Sequence, residues 1–302
     1  MSVEDIRRVV LIAGPTASGK SALALQKAEE AGGVIVNADS MQVYDVLRVL
    51  TARPGAADMA RVPHRLYGHV PPSVSYSTGR WLDDVRAVMG ETAIADRPLV
   101  FVGGTGLYFQ ALTQGLSPMP DIPAAVRERW RYRLAEEGPE ALHRILRRED
   151  PEAAMAIRPA DGQRIVRALE VLETSGRSIL AWQAEKSTPP VDARQAERYL
   201  VMPDRGVLYR RIEERFDRMI EAGALDEVKA LAALHLDASL PAMKAIGVPE
   251  LTNALEGRIS LENAIDQAKT ATRRYAKRQM TWFRNQLGEG WETFGPADPG
   301  NT

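Results

Sequence analysis

The chain has 302 residues, of which 45% are hydrophobic and 26% are charged. This is the composition of an ordinary globular protein with one or two domains, not of a disordered chain. A net charge of -1 excludes a global attraction to nucleic acid or membrane, and the lack of cysteine excludes disulfides and cysteine-bound metal sites.

Nothing in the sequence suggests that the chain enters or crosses a membrane. The N-terminal residues lack the long apolar region of a signal peptide. No apolar run approaches the roughly 18 residues that a membrane helix needs. We therefore expect a cytoplasmic protein with no membrane partner.

The first third of the chain alternates predicted strands with predicted helices. Runs of β-forming residues predict buried strands at Val9–Ala13, within GVIVNADS and at Leu99–Val102. Helical spacing of apolar residues predicts helices over Ser18–Ala31 and Thr78–Ala95. Strands that alternate with helices in this way imply a parallel sheet covered on both faces.

Beyond Pro118 the character of the sequence changes. A proline-rich linker leads into a helical segment, in which arginine far outnumbers lysine, and the segment ends near Arg198. A strand, an amphipathic helix from Leu208 to Ile220 and a long helix from Ser260 to Leu287 follow. We therefore predict an α/β fold, a P-loop-type parallel sheet core flanked by helices (residues 1–118 and 199–302), with an all-helical insertion domain (residues 119–198).

The loop after the first predicted strand has the composition of a phosphate-binding loop. Its residues are Gly14, Pro15, Thr16, Ala17, Ser18, Gly19, Lys20 and Ser21. Glycines allow backbone N–H groups to turn toward anionic oxygens, and the N-terminus of the following helix adds partial positive charge. Lys20 supplies a full positive charge, and the Ser21 hydroxyl can bind magnesium. This pattern predicts phosphate binding but does not identify the molecule that carries the phosphate.

Asp39 follows the second predicted strand, so its carboxylate should face the same crevice as the phosphate loop. Three roles are open for it on local chemistry: a magnesium ligand, a general base, or an N-cap for a following helix. The third strand ends in GGTGLY, so it lacks the acid with which phosphate-loop NTPases hold magnesium.

Five stretches, taken together and in order, are similar to a known family. They are GPTASGKS, NADSMQVY, PLVFVGGTGLYFQAL, PAMKAIGVPEL and ATRRYAKRQMTWFRN. From about residue 9 to residue 291 the chain resembles the bacterial tRNA dimethylallyltransferases, also called tRNA isopentenyltransferases.

The resemblance implies a prenyl transfer to tRNA. A dimethylallyl group would pass from dimethylallyl diphosphate to N6 of the adenine immediately 3′ of the anticodon, at tRNA position 37. The products would be N6-dimethylallyladenosine and diphosphate. The implied partners are the donor and the tRNA anticodon stem-loop, and the implied cofactor is Mg²⁺.

The resemblance also implies catalytic roles. Asp39 would accept the amine proton, and Lys20, the loop amides and a magnesium ion at Ser21 would neutralise the leaving diphosphate. Arg211 would contact the diphosphate, and Thr105 would contact the reacting nucleotide. By local pattern alone, Arg211 is more typical of an exposed helix arginine, and Thr105 is as typical of an N-cap for the helix at Leu107.

A larger set of residues is implied to contact tRNA. It comprises Asp39, Ser40, Met41, Gln42, Thr105, Arg127, Gln163, Arg164, Ile165, Val166, Arg167, Lys244, Arg273, Arg274, Lys277 and Arg278. Arginines suit phosphate and unstacked bases in RNA loops. The alternative to RNA contact in the insertion is a set of solvated helix faces, because its acidic residues nearly cancel its basic ones. On the final helix, Trp282 could belong to the core and not to an RNA-binding surface.

Two departures from the family pattern concern residues 64–68 and the C-terminus. The family often has HHLID where this chain has HRLYG, so the second histidine and the acid are absent. His64 and His69 lie five apart and lack the i, i+4 spacing of a zinc pair on a helix, so we expect structural or substrate-positioning roles for them. Some eukaryotic relatives carry a C-terminal cysteine/histidine zinc finger, which we do not expect in a sequence without cysteine.

Two other functions use the same loop. A P-loop kinase of a small metabolite or nucleotide would use Asp39 to activate a hydroxyl, but it leaves the basic C-terminal helix unexplained. A nucleic-acid-binding NTPase should carry a magnesium-binding acid after a core strand.

We expect a monomer, because the sequence marks no self-complementary apolar surface.

Overall fold

Six parallel strands form one sheet in the structure, a computed structural model that describes residues 8–295. The expectations about a signal segment and a C-terminal zinc finger concern residues at the chain ends that lie outside this range. The strands are β1 (Val9–Ala13), β2 (Val34–Asn37), β3 (His64–Arg65), β4 (Leu99–Gly103), β5 (Glu197–Val201) and β6 (Glu292–Phe294). Their order across the sheet is β3-β2-β4-β1-β5-β6, and every pairing is parallel.

Twelve α-helices are assigned within the described residues. They are α1 (Lys20–Ala31), α2 (Ala56–Arg61), α3 (Thr78–Met89), α4 (Gly106–Gln114), α5 (Ala124–Glu149), α6 (Pro151–Ala156), α7 (Gly162–Ser175), α8 (Ile179–Ala184), α9 (Arg205–Glu221), α10 (Ala224–Ala232), α11 (Val248–Leu255) and α12 (Leu261–Gln286). Two 3-10 turns cover Thr92–Ile94 and Ala242–Lys244. The parallel α/β fold class predicted from the sequence is confirmed.

The central strands are buried along their whole length, as the unbroken runs of apolar residues predict. Every residue of β1, β2 and β4 is buried. Ala24, Leu25 and Ala28 of α1 pack on one face of this sheet. Both faces of the parallel sheet are covered, so the side chains of these strands are buried on either side. Burying unpaired polar side chains would cost free energy, which is why these strands consist almost entirely of apolar residues.

The chain divides into two units by its internal contacts. The first comprises Met1–Thr113 and Pro190–Thr302, and the second comprises Gln114–Pro189. The first unit holds the sheet, α1 to α3 and α9 to α12, with an apolar cluster that joins residues 43–50 to α9, α10, α11 and α12.

The second unit is helical throughout. Its apolar core includes Trp130, Leu142, Leu146 and Leu169. Gly138, with φ 77° and ψ 166°, interrupts α5 just before Pro139, so α5 consists of two helical stretches. Of the described helices, none is long and apolar enough to cross a membrane.

Candidate active site

Three loops meet at the carboxyl edge of the sheet because their strands are neighbours. β4 lies between β2 and β1, and the segments after these strands carry Asp39, Gly104 and the phosphate loop (residues 14–21). In a parallel sheet the carboxyl ends of adjacent strands open into one crevice, where ligands bind. The topology therefore brings together the residues that the sequence placed after separate strands.

The phosphate loop leads directly into α1. Gly19 has φ 94°, a left-handed conformation that favours glycine, and no side chain caps the first turn of α1. The backbone N–H groups at the start of α1 are thus available to an anion. Lys20 Nζ donates to the carbonyl oxygen of Pro15 at 3.2 Å, and Ser21 lies exposed in the first turn.

Two cations lie beside this loop. Burial lowers the pKa of Lys20 to about 8, with Asp39 opposing this shift and Arg215 adding to it. Burial also lowers the pKa of Arg215 to about 10, again opposed by Asp39. The Arg215 guanidinium donates to the Thr16 hydroxyl. A partly buried pair of cations with one nearby carboxylate favours a strongly anionic ligand.

Asp39 is held in a turn and not at a helix N-terminus. Its Oδ1 accepts from the Met41 N–H at 3.0 Å, and its own N–H donates to Asn37 Oδ1 at 2.9 Å. The next helix, α2, begins only at Ala56, so the N-cap alternative is wrong. The general-base and magnesium-ligand roles stay open to the carboxylate.

Thr105 joins the β4 loop to the β2 loop. Its hydroxyl accepts from the Ser40 N–H at 2.9 Å and donates to Ser40 Oγ at 3.2 Å. Its own N–H donates to the carbonyl oxygen of Ala38 at 3.2 Å. Thr105 therefore helps to fix the backbone next to Asp39.

A cavity of about 290 Å³ opens beside these loops. One part of its wall is polar or charged and the other part is apolar. Its lining residues are Thr16, Asp39, Ser40, Met41, Leu50, Thr51, Ile212, Arg215, Phe216, Met219, Lys244, Ala245, Ile246, Thr272, Tyr275 and Arg278. Such a cavity suits a small ligand with a charged head and an apolar tail.

The arginine of α9 that lines this cavity is Arg215, not the predicted Arg211. Arg215 lies on the same helical stripe as Ile212, Phe216 and Met219, which also line it. No sequence motif indicates Arg215, although an arginine on an otherwise apolar helix stripe is a local sign of a functional position.

The predicted basic patch on α12 is divided between two environments. Arg274, Lys277 and Arg278 line a groove with Trp282. Arg273 instead donates to Glu213 Oε1 at 2.6 Å and to the Thr270 hydroxyl. Lys244 is exposed at the rim of the cavity described above.

Gln42 is engaged within its own loop. Its amide nitrogen donates to the carbonyl oxygens of Thr51 and Ala52 at 2.8 and 3.1 Å. The carboxylate of Glu227 on α10 accepts from three backbone N–H groups of this loop, at residues 48–50. No sequence pattern indicates this anchor, because it depends on two segments far apart along the chain.

The second unit carries the remaining predicted tRNA contacts. Arg167 Nη1 lies 3.6 Å from the buried Glu170 carboxylate, which Arg127 also faces. Burial raises the pKa of Glu170, and the neighbouring arginines oppose that shift. Gln163 and Arg164 are exposed.

Two predicted contacts of this unit need correction. The side chains of Ile165 and Val166 are 0% and 6% exposed and belong to the apolar core, so they cannot contact RNA. An i, i+3/i+4 helical pattern places them on the inner face, opposite Gln163 and Arg164.

The histidines of the HRLYG region make local contacts. His64 Nδ1 lies 2.9 Å from the carbonyl oxygen of Val62, and His69 Nε2 lies 3.2 Å from Asp84 Oδ2. Over residues 8–295, no group of three or more His, Asp or Glu side chains is placed to hold a metal ion.

Two family models match the chain. One described as IPP transferase matches residues 42–286, and one described as Isopentenyl transferase matches residues 7–69. A tRNA dimethylallyltransferase of Chelativorans sp. (strain BNC1) is 64% identical over 95% of this chain and 98% of its own. One of Mesorhizobium japonicum is 62% identical over 97% and 91% of the two chains.

Solved structures agree with these relatives. The full-length tRNA isopentenylpyrophosphate transferase of Bacillus halodurans is 34% identical, with a TM-score of 0.68 over 97% of this chain and 92% of its own. A eukaryotic dimethylallyltransferase acting on tRNA is 27% identical, with a TM-score of 0.78 over 93% and 71% of the two chains. The resemblance noted in the sequence is confirmed: the chain belongs to the IPP transferase family, whose named relatives are tRNA dimethylallyltransferases.

Proposed function

We propose that the chain transfers a dimethylallyl group from dimethylallyl diphosphate to N6 of the adenine immediately 3′ of the anticodon, at tRNA position 37. The products are N6-dimethylallyladenosine and diphosphate. One observation carries this proposal: Asp39 and Arg215 line the charged end of a cavity whose other wall is apolar, and Lys20 interacts electrostatically with both.

The donor fits the two parts of the cavity. Its diphosphate binds Lys20, Arg215 and the backbone N–H groups at the start of α1 (residues 19–21). Its five-carbon tail packs against Leu50, Ile212 and Phe216. Burial of the tail excludes water from the reacting carbon, which favours transfer to the amine over hydrolysis.

Asp39 is the group best placed to receive the proton. The N6 lone pair is delocalised into the adenine ring, so the amine must lose a proton as the carbon–nitrogen bond forms. At the same time the carbon–oxygen bond to diphosphate breaks, and Lys20 and Arg215 stabilise the charge on the leaving oxygens. Thr105 keeps the Asp39 loop in position through Ser40.

Magnesium fits the oxygen donors at the phosphate loop. The Ser21 hydroxyl is exposed at the start of α1, where it could bind the ion together with diphosphate oxygens. Magnesium commonly binds one or two protein oxygens together with substrate phosphates, so no larger acidic cluster is needed. When bound, the ion would neutralise diphosphate charge.

The tRNA binds on two basic surfaces. On α12 the groove formed by Arg274, Lys277, Arg278 and Trp282 offers phosphate contacts beside an aromatic plane. In the helical unit, Arg127, Gln163, Arg164 and Arg167 take this role. The target adenine must leave its stack to reach Asp39.

A P-loop kinase is the weaker candidate. β4 lies next to β1 at the centre of the sheet, yet it ends in Gly103 and Gly104 and carries no magnesium-binding acid. The named relatives are prenyl transferases and not kinases.

The test is a labelling experiment. The protein is incubated with magnesium, unmodified tRNA and radiolabelled dimethylallyl diphosphate, and a parallel reaction contains ATP labelled in its terminal phosphate. We expect label from the prenyl donor in tRNA, and at least about a hundredfold slower transfer by Asp39→Asn, which keeps the turn but loses the base. ATP consumption without prenyl transfer would establish a kinase or NTPase instead.

A further inference from the structure

We propose that Gln279 is a positioning residue for the transfer, because it links the loop that holds the leaving diphosphate to the loop beside the accepting amine. The inference rests on the function proposed above and adds a residue to its machinery. Gln279 belongs to α12, and its side chain is 5% exposed.

The amide group of Gln279 forms hydrogen bonds with both loops. Its Oε1 accepts from the Thr16 N–H at 2.9 Å, and its Nε2 donates to the carbonyl oxygen of Gly104 at 2.8 Å. Only a side chain that ends in both an acceptor and a donor can satisfy both partners. A single buried side chain thus bridges β1 and β4 loops that are far apart in sequence.

At the phosphate loop, Gln279 supports a strained segment. Thr16 is held by Gln279 at its N–H and by Arg215 at its hydroxyl. The next residue, Ala17, has φ 63°, which is unfavourable for a residue with a side chain. Two anchors on Thr16 therefore hold the bend that turns the following N–H groups toward the diphosphate.

At the opposite loop, Gln279 approaches the backbone closely. A Cβ on Gly104 would lie 2.3 Å from Gln279 Nε2 and 3.3 Å from Asp39 Oδ2. A side chain at position 104 would therefore displace the amide of Gln279, and it would also contact the Asp39 carboxylate. The next residue, Thr105, fixes Ser40 and the Asp39 turn.

This bridge sets the spacing between the two halves of the reaction. The donor carbon must lie in line between its leaving oxygen and the adenine amine. A misplacement of about 1 Å can cost about 100-fold in rate without any loss of binding groups. Gln279 should therefore affect the chemical step more than the affinity for either substrate.

The experiment compares Gln279→Met with Gln267→Met, an equivalent change at an exposed position of the same helix. Steady-state kcat and KM, the Kd for inorganic diphosphate and the melting temperature are measured for both. We expect kcat to fall about 100-fold in Gln279→Met, with Kd and donor KM changed less than about tenfold. Gln267→Met should match the wild type.

A second variant and a double mutant separate positioning from packing. Gln279→Asn keeps the amide but is too short to reach both loops, so it should show the same loss of kcat and serves if Gln279→Met does not fold. As a single change, Gly104→Ala should lower kcat, because the new methyl group would meet the Gln279 amide. In a Gln279→Ala background that amide is absent, so Gly104→Ala should lower kcat little further.

Two results would overturn the inference: a kcat for Gln279→Met and Gln279→Asn within about threefold of the control, or losses that follow only the folded fraction. Wild-type protein that transfers no prenyl group would instead remove the proposed function, and with it this role. The two failures are distinguishable because the wild type is measured first.

Discussion

At the residue scale, the charge of Lys20 depends on the protein around it. Burial lowers the pKa of its ammonium to about 8, so a fraction of the free protein is already neutral at this position in mildly alkaline solution. A bound diphosphate would favour the protonated form. Binding is therefore coupled to proton uptake above pH 8.

We predict that the affinity for inorganic diphosphate falls as the pH rises from 7 to 9.5. Below pH 8 Lys20 is cationic and attracts the ligand; above pH 8 binding must first add a proton, which costs up to about tenfold in affinity per pH unit. Isothermal titration measures this slope. Lys20→Met serves as the control, since its slope contains only the titration of the ligand and other groups, and equal slopes would contradict the prediction.

Arg215 and Arg211 lie one turn apart on α9 and provide a second test. Arg215→Met should weaken diphosphate binding by at least about tenfold, because a charge-assisted contact is lost from a partly buried position. Arg211→Met should change it less than about twofold, since Arg211 does not line the cavity. Equal losses in a titration with diphosphate would restore the role that the sequence suggested for Arg211.

At the element scale, α10 anchors the loop that carries part of the cavity wall. The Glu227 carboxylate accepts from the N–H groups of Arg48, Val49 and Leu50 at 2.6–3.0 Å. Leu50 and Thr51 line the cavity. The shape of the cavity thus depends on a contact made outside it.

Glu227→Ala should lower the free energy of unfolding by about 1–3 kcal/mol, because three backbone N–H groups lose their acceptor. It should also raise the KM for the donor. Urea unfolding measures the first effect, with Asp226→Ala as the control. Asp226 pairs with an exposed lysine, so its loss should cost less than about 0.5 kcal/mol. Equal effects of both variants would mean that Glu227 is no more than a surface acid.

At the scale of the whole molecule, the first and last residues of the helical unit lie close together in space. The Ser187 N–H donates to the Leu116 carbonyl oxygen at 3.0 Å, and the Leu116 N–H donates to Ser187 Oγ at 3.2 Å. The unit also has its own apolar core.

A cytoplasmic location and a monomeric state stay predictions of the sequence.

We predict that residues 117–186 can be replaced by a short glycine–serine linker without loss of the sheet. The shortened chain should bind diphosphate within about twofold of the wild type, because a closed loop of this kind tolerates changes in length. Its affinity for an anticodon stem-loop should fall at least about tenfold, since phosphate contacts are lost. Unchanged RNA affinity in a salt titration would show that the helical unit does not bind tRNA.

Local patterns in the sequence determined several features of this protein by themselves. Continuous apolar runs predicted β1, β2 and β4, because both faces of a parallel sheet are buried. The phosphate loop could be recognised from the sequence because its glycines, lysine and serine lie within eight consecutive residues. The order of the motifs also identified the family.

Tertiary structure alone decided which side chains complete the site. Of these two arginines of α9, Arg215 lines the cavity and Arg211 does not. The periodicity of the sequence does not show which face of α9 packs against its neighbours, so it could not distinguish them. Gln279 and Glu227 act across 263 residues (from Thr16) and across up to 179 residues (from Arg48), respectively. Neither contact leaves a local signal, since an amide or a carboxylate on a helix acquires its partners only when distant segments pack together.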